Sequence, residues 1–343
     1  MDKSCATTFG FAKACGKLRK SFLKDKISLL FEQKSLSALW TLLFQTPAPQ
    51  IEENLLAQKI EKTVFENYIS EYIRMLDYWD SPCDYLVDQL KLYEVENLKE
   101  VTAALCSQEE KCPELVNLSK YSKLHFEYWP NLAKITEGTD FSWLNQIPDI
   151  HKQALNELQI DNQFIKHQWN SIKKLSGDDR KYAEELFIDE YSLNNIIWAL
   201  RLKIYYKMSN EQIMPRLFCV NNHPGSEDII CQKAINILSK DCSKYSDWEN
   251  WKYSDFLNPK TESNQWKIDP TWIEKKFFVY KAKRAYHIFY EACSSQVALA
   301  AWFKIKWYEL SCIRSAVETI RLKIDPKETL QIIGGNSWQE QQK

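Results

Sequence analysis

Residues 60–76 read Ile-Glu-Lys-Thr-Val-Phe-Glu-Asn-Tyr-Ile-Ser-Glu-Tyr-Ile-Arg-Met-Leu. Ile60, Val64, Tyr68, Tyr72 and Leu76 recur every four residues, and Phe65, Ile69 and Ile73 lie beside them. Glu61, Lys62, Glu66, Asn67, Ser70 and Glu71 fall on the opposite side. A broad apolar stripe with a charged back is the mark of a long helix laid on a core. The same period continues through Leu86, Leu90, Tyr93, Leu98, Val101 and Leu105, with Ser81 expected as the N-cap and Pro82 in the first turn. Most of the 11 prolines fall between such patterns, where they punctuate helices.

Glycine content extends this reading to the whole chain. Seven Gly in 343 residues is about 2%, against a usual ~7%. Hairpins, dinucleotide-binding turns and phosphate loops need Gly for positive φ or close backbone approach. The chain is therefore expected to be all-α. Hydrophobic residues at 45% and aromatics at 13% exclude a disordered polymer. The 45 Lys+Arg nearly balance the 46 Asp+Glu, which argues against a nucleic-acid coat or a polybasic membrane binder. The apolar runs at 36–44 and 297–303 are far below the ~20 residues of a membrane span. The first residues form no apolar signal core, so a cytosolic start is expected.

Polar breaks at 106–120 and 221–226 divide the chain into three expected pieces of ordinary domain size: 1–112, 113–222, and 223–343, which includes a C-terminal tail. A short internal repeat supports the division. Tyr93-Glu94-Val95-Glu96-Asn97-Leu98, Tyr191-Ser192-Leu193-Asn194-Asn195-Ile196 and Tyr308-Glu309-Leu310-Ser311-Cys312-Ile313 all read Tyr-x-aliphatic-x-(Asn/Cys)-aliphatic within helical patterns. Tyr and the fifth position share a helix face. The stretches 129–150 and 241–270 are less regular and are expected to hold short helices and loops.

Motifs that carry chemistry are sparse. Gly10-Phe11-Ala12-Lys13-Ala14-Cys15-Gly16-Lys17-Leu18 misses the phosphate-loop pattern: its glycines are one residue too far apart, and Leu18 stands where Ser or Thr binds Mg²⁺. It reads as helix. The five His are dispersed without an i, i+4 zinc pair, and no cysteines have CxxC spacing. Trp248, Trp251, Trp266 and Trp272 suit packing before ligand stacking. No catalytic, cofactor-binding or metal-binding residue is expected.

An ordered string of segments resembles the central-stalk component of V-type and A-type rotary ATPases that is designated C in archaeal-type enzymes and d in the eukaryotic enzyme. Phe9-Gly10-Phe11-Ala12-Lys13-Ala14 is similar to that family's opening helix. Leu29-Leu30, Gln33-Lys34-Ser35-Leu36 and Thr46-Pro47 are similar to its short-helix segment. Tyr93-Glu94-Val95-Glu96-Asn97-Leu98-Lys99 is similar to the acidic-aliphatic-x-Asn-Leu element that the family repeats. The second copy continues through Ala199-Leu200-Arg201-Leu202-Lys203, and the third ends Cys312-Ile313-Arg314, with Cys in place of Asn.

The resemblance implies three similar helical bundles arranged as a pseudo-threefold funnel. It implies a non-catalytic rotor subunit, one copy per complex, with no cofactor. Its mouth would receive the central axle, subunits D and F. Its base would rest on the proteolipid ring at the cytoplasmic face of the membrane, touching the membrane only through that ring, with no nucleic-acid partner. Torque would pass between ATP chemistry and H⁺ or Na⁺ transport. The motif residues Tyr93, Glu94, Glu96, Asn97, Tyr191, Asn194, Asn195, Arg201, Tyr308, Glu309 and Arg314 are then structural or interface candidates. The alternative is a generic helical scaffold for protein–protein contacts.

Overall fold

The computed structural model describes residues 2–259 and 265–334. The end of the expected C-terminal tail, 335–343, and residues 260–264 of the irregular stretch lie outside them. Every regular element among the described residues is helical. Two compact units are formed, one from Met1–Asp80 with Trp251–Lys343, the other from Ser81–Asn250. The first carries 26 Lys+Arg against 20 Asp+Glu, the second 19 against 26. The near-zero net charge is thus the sum of a basic and an acidic unit.

The first unit opens with α1 (Lys3–Lys20), α2 (Ser28–Phe31), α3 (Leu36–Phe44) and α4 (Glu53–Leu76). The near-miss phosphate loop lies inside α1 and is helical throughout. Gly10 permits a close approach there: a Cβ would stand 2.8 Å from the Trp79 ring. Ser35 caps α3 by accepting the Ala38 N–H at 3.2 Å, and Gln45 ends it in the left-handed region at φ 56°. On α4, Ile60, Tyr68, Ile69, Tyr72 and Leu76 are buried while Glu66, Asn67 and Ser70 are exposed, as the period requires.

The second unit holds α5 (Asp84–Cys106), α6 (Leu132–Thr136), α7 (Gln153–Lys173), α8 (Gly177–Ile204), α9 (Asn210–Ile213) and α10 (Gln232–Leu238). α5 starts later than its sequence suggests. Its N-cap is the extended Cys83, with Pro82 before it, and Asp84 brings a carboxylate to the exposed N–H groups of the first turn. Val95, Leu98, Val101 and Leu105 of α5 share a core with Ile160 and Phe164 of α7. Leu124, Leu132, Ile135, Phe141 and Leu144, from the segment between those helices, complete that core. The irregular stretch therefore folds because its apolar side chains close a helix pair, not because it has a period of its own.

The first unit is completed by α11 (Pro270–Glu291), α12 (Ala298–Leu322) and α13 (Pro326–Ile332). Pro at the first position, with Asp269 and Asp325 as caps, sets the start of α11 and α13. α12 is the hub, packed against α11 and α4. Ala298, Ala300 and Ala301 keep its first turns narrow and buried. The Phe303 ring then stacks on Tyr68 at 4.4 Å and touches Tyr72 at 4.0 Å, and Trp302 lies parallel to Tyr72. The two long helices that open the chain, α4 and α5, therefore fall in different units.

Candidate functional site

The three repeated motifs lie on α5, α8 and α12, and most of their side chains face inward. Asn97 is buried and clasps one residue of a passing segment: its Nδ2 donates to the Val116 carbonyl at 2.8 Å, and the Val116 N–H donates to its Oδ1 at 2.8 Å. Asn195 repeats that two-way clasp on Phe218, with both bonds at 2.9 Å, and donates a third bond to the Ile230 carbonyl at 3.0 Å. A primary amide holds a donor and an acceptor side by side, so it can pair with a backbone as a neighbouring strand would. The shared fifth position thus has one job in the first two copies.

The third copy has Cys312 there. Its thiol is buried, and burial pushes it up to about 12. In this copy the second motif position makes the bond to a crossing segment. The Glu309 carboxylate accepts the Phe22 N–H at 2.7 Å and pairs with Lys306, whose ammonium also donates to Ser21 Oγ at 3.0 Å. The N-terminal segment is thereby fixed to α12. Glu94, at the same position in the first copy, accepts from Ser122 Oγ at 2.9 Å, from the Leu124 N–H at 2.8 Å and from the Lys123 N–H. Two buried carboxylates at equivalent positions each bind the backbone of a crossing segment, where such charge-assisted bonds are strong.

In the second copy this position is Ser192, fully buried, its hydroxyl without a partner among the described residues. The carboxylate is supplied instead by Asp228 in the segment itself. Asp228 is 0% exposed and accepts four N–H groups: Val220 at 2.9 Å, Asn221 at 2.8 Å, Ile230 at 3.0 Å and Cys231 at 3.3 Å. Asp228 carries no sequence signal, since it follows a polar turn and belongs to no periodic pattern. An unpaired buried hydroxyl is a burden on the fold. Ser192→Ala is therefore expected to leave the stability measured by urea unfolding unchanged or to raise it by up to about 1 kcal/mol. A clear loss of stability would show that the hydroxyl has a partner.

The remaining motif residues spread out. Tyr93 and Tyr308 are buried, and Tyr308 donates to the Ile333 carbonyl at 2.7 Å, holding the end of α13. Tyr191 donates to Gln168 Oε1 at 3.0 Å, and burial raises its phenol. Asn194 donates to Glu190 at 3.3 Å, and Arg201 is half-buried. Glu96 is exposed and pairs with Lys99, which also meets Asp161 at 2.6 Å. Arg314 rests on the rings of Phe65 and Trp307 at 5.6 and 5.5 Å. These residues do not converge on a common pocket.

Among the described residues, no three His, Cys, Asp or Glu side chains gather as a metal site. A cavity of about 10 Å³ lined by Thr7, Gly10, Trp79 and Gln296 has room for a water and no more. The repeated helices are instead docking posts for backbone.

The family model of the ATP synthase (C/AC39) subunit matches residues 13–332. The chain belongs to the ATP synthase (C/AC39) subunit family. All three repeated helices lie within the match. An uncharacterized protein of Treponema pallidum (strain Nichols) is 23% identical over 324 residues, covering 93% of this chain and 94% of its own length. Membership of the C/AC39 family makes the chain a subunit of a V/A-type rotary ATPase. No helix among the described residues is long and apolar enough to cross a membrane.

Proposed function

We propose that this C/AC39 family member is the non-catalytic rotor adaptor of its complex. It joins the central axle, subunits D and F, to the proteolipid ring and passes torque between ATP chemistry and H⁺ or Na⁺ movement. It binds no nucleotide and carries no ion. It sits peripherally at the cytoplasmic face, one copy per complex, and meets the membrane through the ring. The observation that carries this reading is the family match across residues 13–332.

The physical argument is stiffness. A part that transmits torque must not shear. In this chain, helices of 23 to 28 residues are tied to the segments crossing them by buried carboxylates, amides and stacked rings. The cost of leaving those buried groups unpaired opposes sliding of helix on segment. The motif residues Glu94, Asn97, Asn195, Tyr308 and Glu309 are accordingly structural in this proposal. The exposed Glu96 and the ring-mounted Arg314 are the better interface candidates. A division into three bundles around a pseudo-threefold axis belongs to the same proposal; its support is the recurrence of the two-way Asn clasp on α5 and α8.

Purification tests the reading. A tagged copy expressed at native level is expected to bring down the D and F subunits and the proteolipid. Recovery of the intact rotary complex without the tagged chain would refute it.

A further inference from the structure

In the basic unit, Arg314 is mounted on aromatic rings and paired with no acid among the described residues. The ring contacts show that α4 and α12 run antiparallel: Tyr72 meets Trp302, Tyr68 meets Phe303 and Trp307, and Phe65 meets Arg314. The Arg314 guanidinium is carried by two rings, Phe65 at 5.6 Å and Trp307 at 5.5 Å. Its Nε is buried with no acceptor among the described residues. Its outer nitrogens form no hydrogen bond or ion pair there either. Burial raises the neighbouring Glu61 carboxyl and the Arg314 charge pulls it back, yet the two form no ion pair. Arg321 is already committed, in a two-pronged pair with Glu318 at 3.1 and 2.6 Å.

Position along α12 sets what can meet this group. Trp307, Ser311, Arg314, Glu318 and Leu322 follow one another at steps of three and four residues, so they share one face of the helix. Trp307 is 36% exposed and Leu322 56%. The hub helix therefore turns outward a stripe with an apolar residue at each end and a guanidinium between them. Holding that guanidinium against two rings removes in advance much of the rotamer freedom that an Arg loses on binding. Planar guanidinium donors fit a carboxylate or a phosphate. Glu61 and Glu318 stand beside Arg314, and Arg321 is neutralised, so a doubly charged phosphate would meet more repulsion than attraction. A single carboxylate is matched by the single unpaired guanidinium. The unit's excess of cations, 26 against 20, favours an acidic partner in the same sense.

We propose that this stripe is a docking site for another subunit of the rotary complex, and that Arg314 receives a carboxylate from a segment whose apolar side chains cover Trp307 and Leu322. Arg and aromatic rings carry much of the energy of protein interfaces where apolar neighbours exclude water from them. The segment supplies the acceptor that the fold withholds from Arg314, and its apolar side chains shield the resulting pair from solvent and salt. The proposal rests on the adaptor reading for the partner's place in the complex; the chemistry of the site rests on α4 and α12 alone.

Cross-linking in the assembled complex, purified through a tag on its catalytic head, tests it. A carbodiimide joins an amine only to a carboxylate in contact with it, so Arg314→Lys turns the site into a zero-length probe. Complex carrying Arg314→Lys and treated with carbodiimide is expected to give a link from position 314 to an Asp or Glu of a different subunit. Arg314→Glu is expected to lower retention of the chain in the complex about tenfold, with the helix content of the isolated chain unchanged by circular dichroism. Should Arg314→Glu fail to fold, the cross-link decides. No link, links confined to carboxylates of this chain, or full retention of Arg314→Glu would overturn the docking proposal and leave the adaptor reading standing. Absence of the wild-type chain from the complex would remove the adaptor reading, and this proposal with it.

Discussion

Trp302→Ala is expected to destabilise the basic unit by about 3–5 kcal/mol, the cost of an aromatic-sized hole in a core that cannot collapse. The side chain is 0% exposed at the start of α12, where the small Ala298, Ala300 and Ala301 bring neighbouring elements close. Its ring lies parallel to Tyr72, at a 9° interplanar angle, beside the Phe303 stack. Its indole N–H has no partner among the described residues. Trp302→Phe is therefore the informative control. It keeps most of the apolar volume and removes an unsatisfied donor, so its loss is expected near ~1 kcal/mol. Urea denaturation of the three proteins should rank wild type at or slightly above Phe, with Ala far below. Equal losses for Phe and Ala would mean that the N–H, not the packing, matters there.

The second large effect is expected at Asp228. Asp228→Ala removes the common acceptor of four backbone N–H groups, two of them in buried bonds. Each orphaned buried donor costs about 1–3 kcal/mol, so a total of about 3–5 kcal/mol is expected after partial rehydration. Asp228→Asn keeps one acceptor oxygen but turns an NH₂ toward the remaining amides, and should fall between. The damage has a local reporter. Cys231 is buried beside this carboxylate, and burial first and the Asp228 charge after it push its thiol up. Thiol-reagent labelling of Cys231 should be slow in wild type and fast in Asp228→Ala. Unchanged labelling would show that the segment is held by other contacts.

Much of the fold is legible from periodicity. The stripe from Ile60 to Leu76 predicts both the helix and its buried face, and the scarcity of glycine excludes the loops that strands and phosphate sites need. The inward face shared by Tyr93 and Asn97 follows from their four-residue spacing. What the sequence hides is where the backbone bonds go. Glu309 meets the Phe22 N–H across 287 positions of chain, and no local pattern encodes that approach. Asp228 and Ser192 exchange roles for the same reason: burial of one and isolation of the other arise only when the 218–231 segment lies on α8. The start of α5 at Asp84 is obscured by Pro82, which suits a first turn equally well. The partition into two units reflects the packing of α4 on α12, a contact between distant parts of the sequence.

For the site, the repeat is legible and its chemistry only in part. Asn97 and Asn195 are expected to bond neighbouring elements, because buried amides must find partners. That the third copy, with Cys312 in the fifth position, binds a crossing segment through Glu309 follows only from the packing of the N-terminal segment on α12.

The most direct measurement of the central claim is ATP-driven ion transport in membrane vesicles from cells lacking this chain, compared with cells in which it is restored. The rotor-adaptor account predicts that without it the catalytic head either detaches or hydrolyses ATP with no ion gradient formed, and that restoring the chain recovers pumping. Full pumping per ATP hydrolysed in its absence would contradict the account.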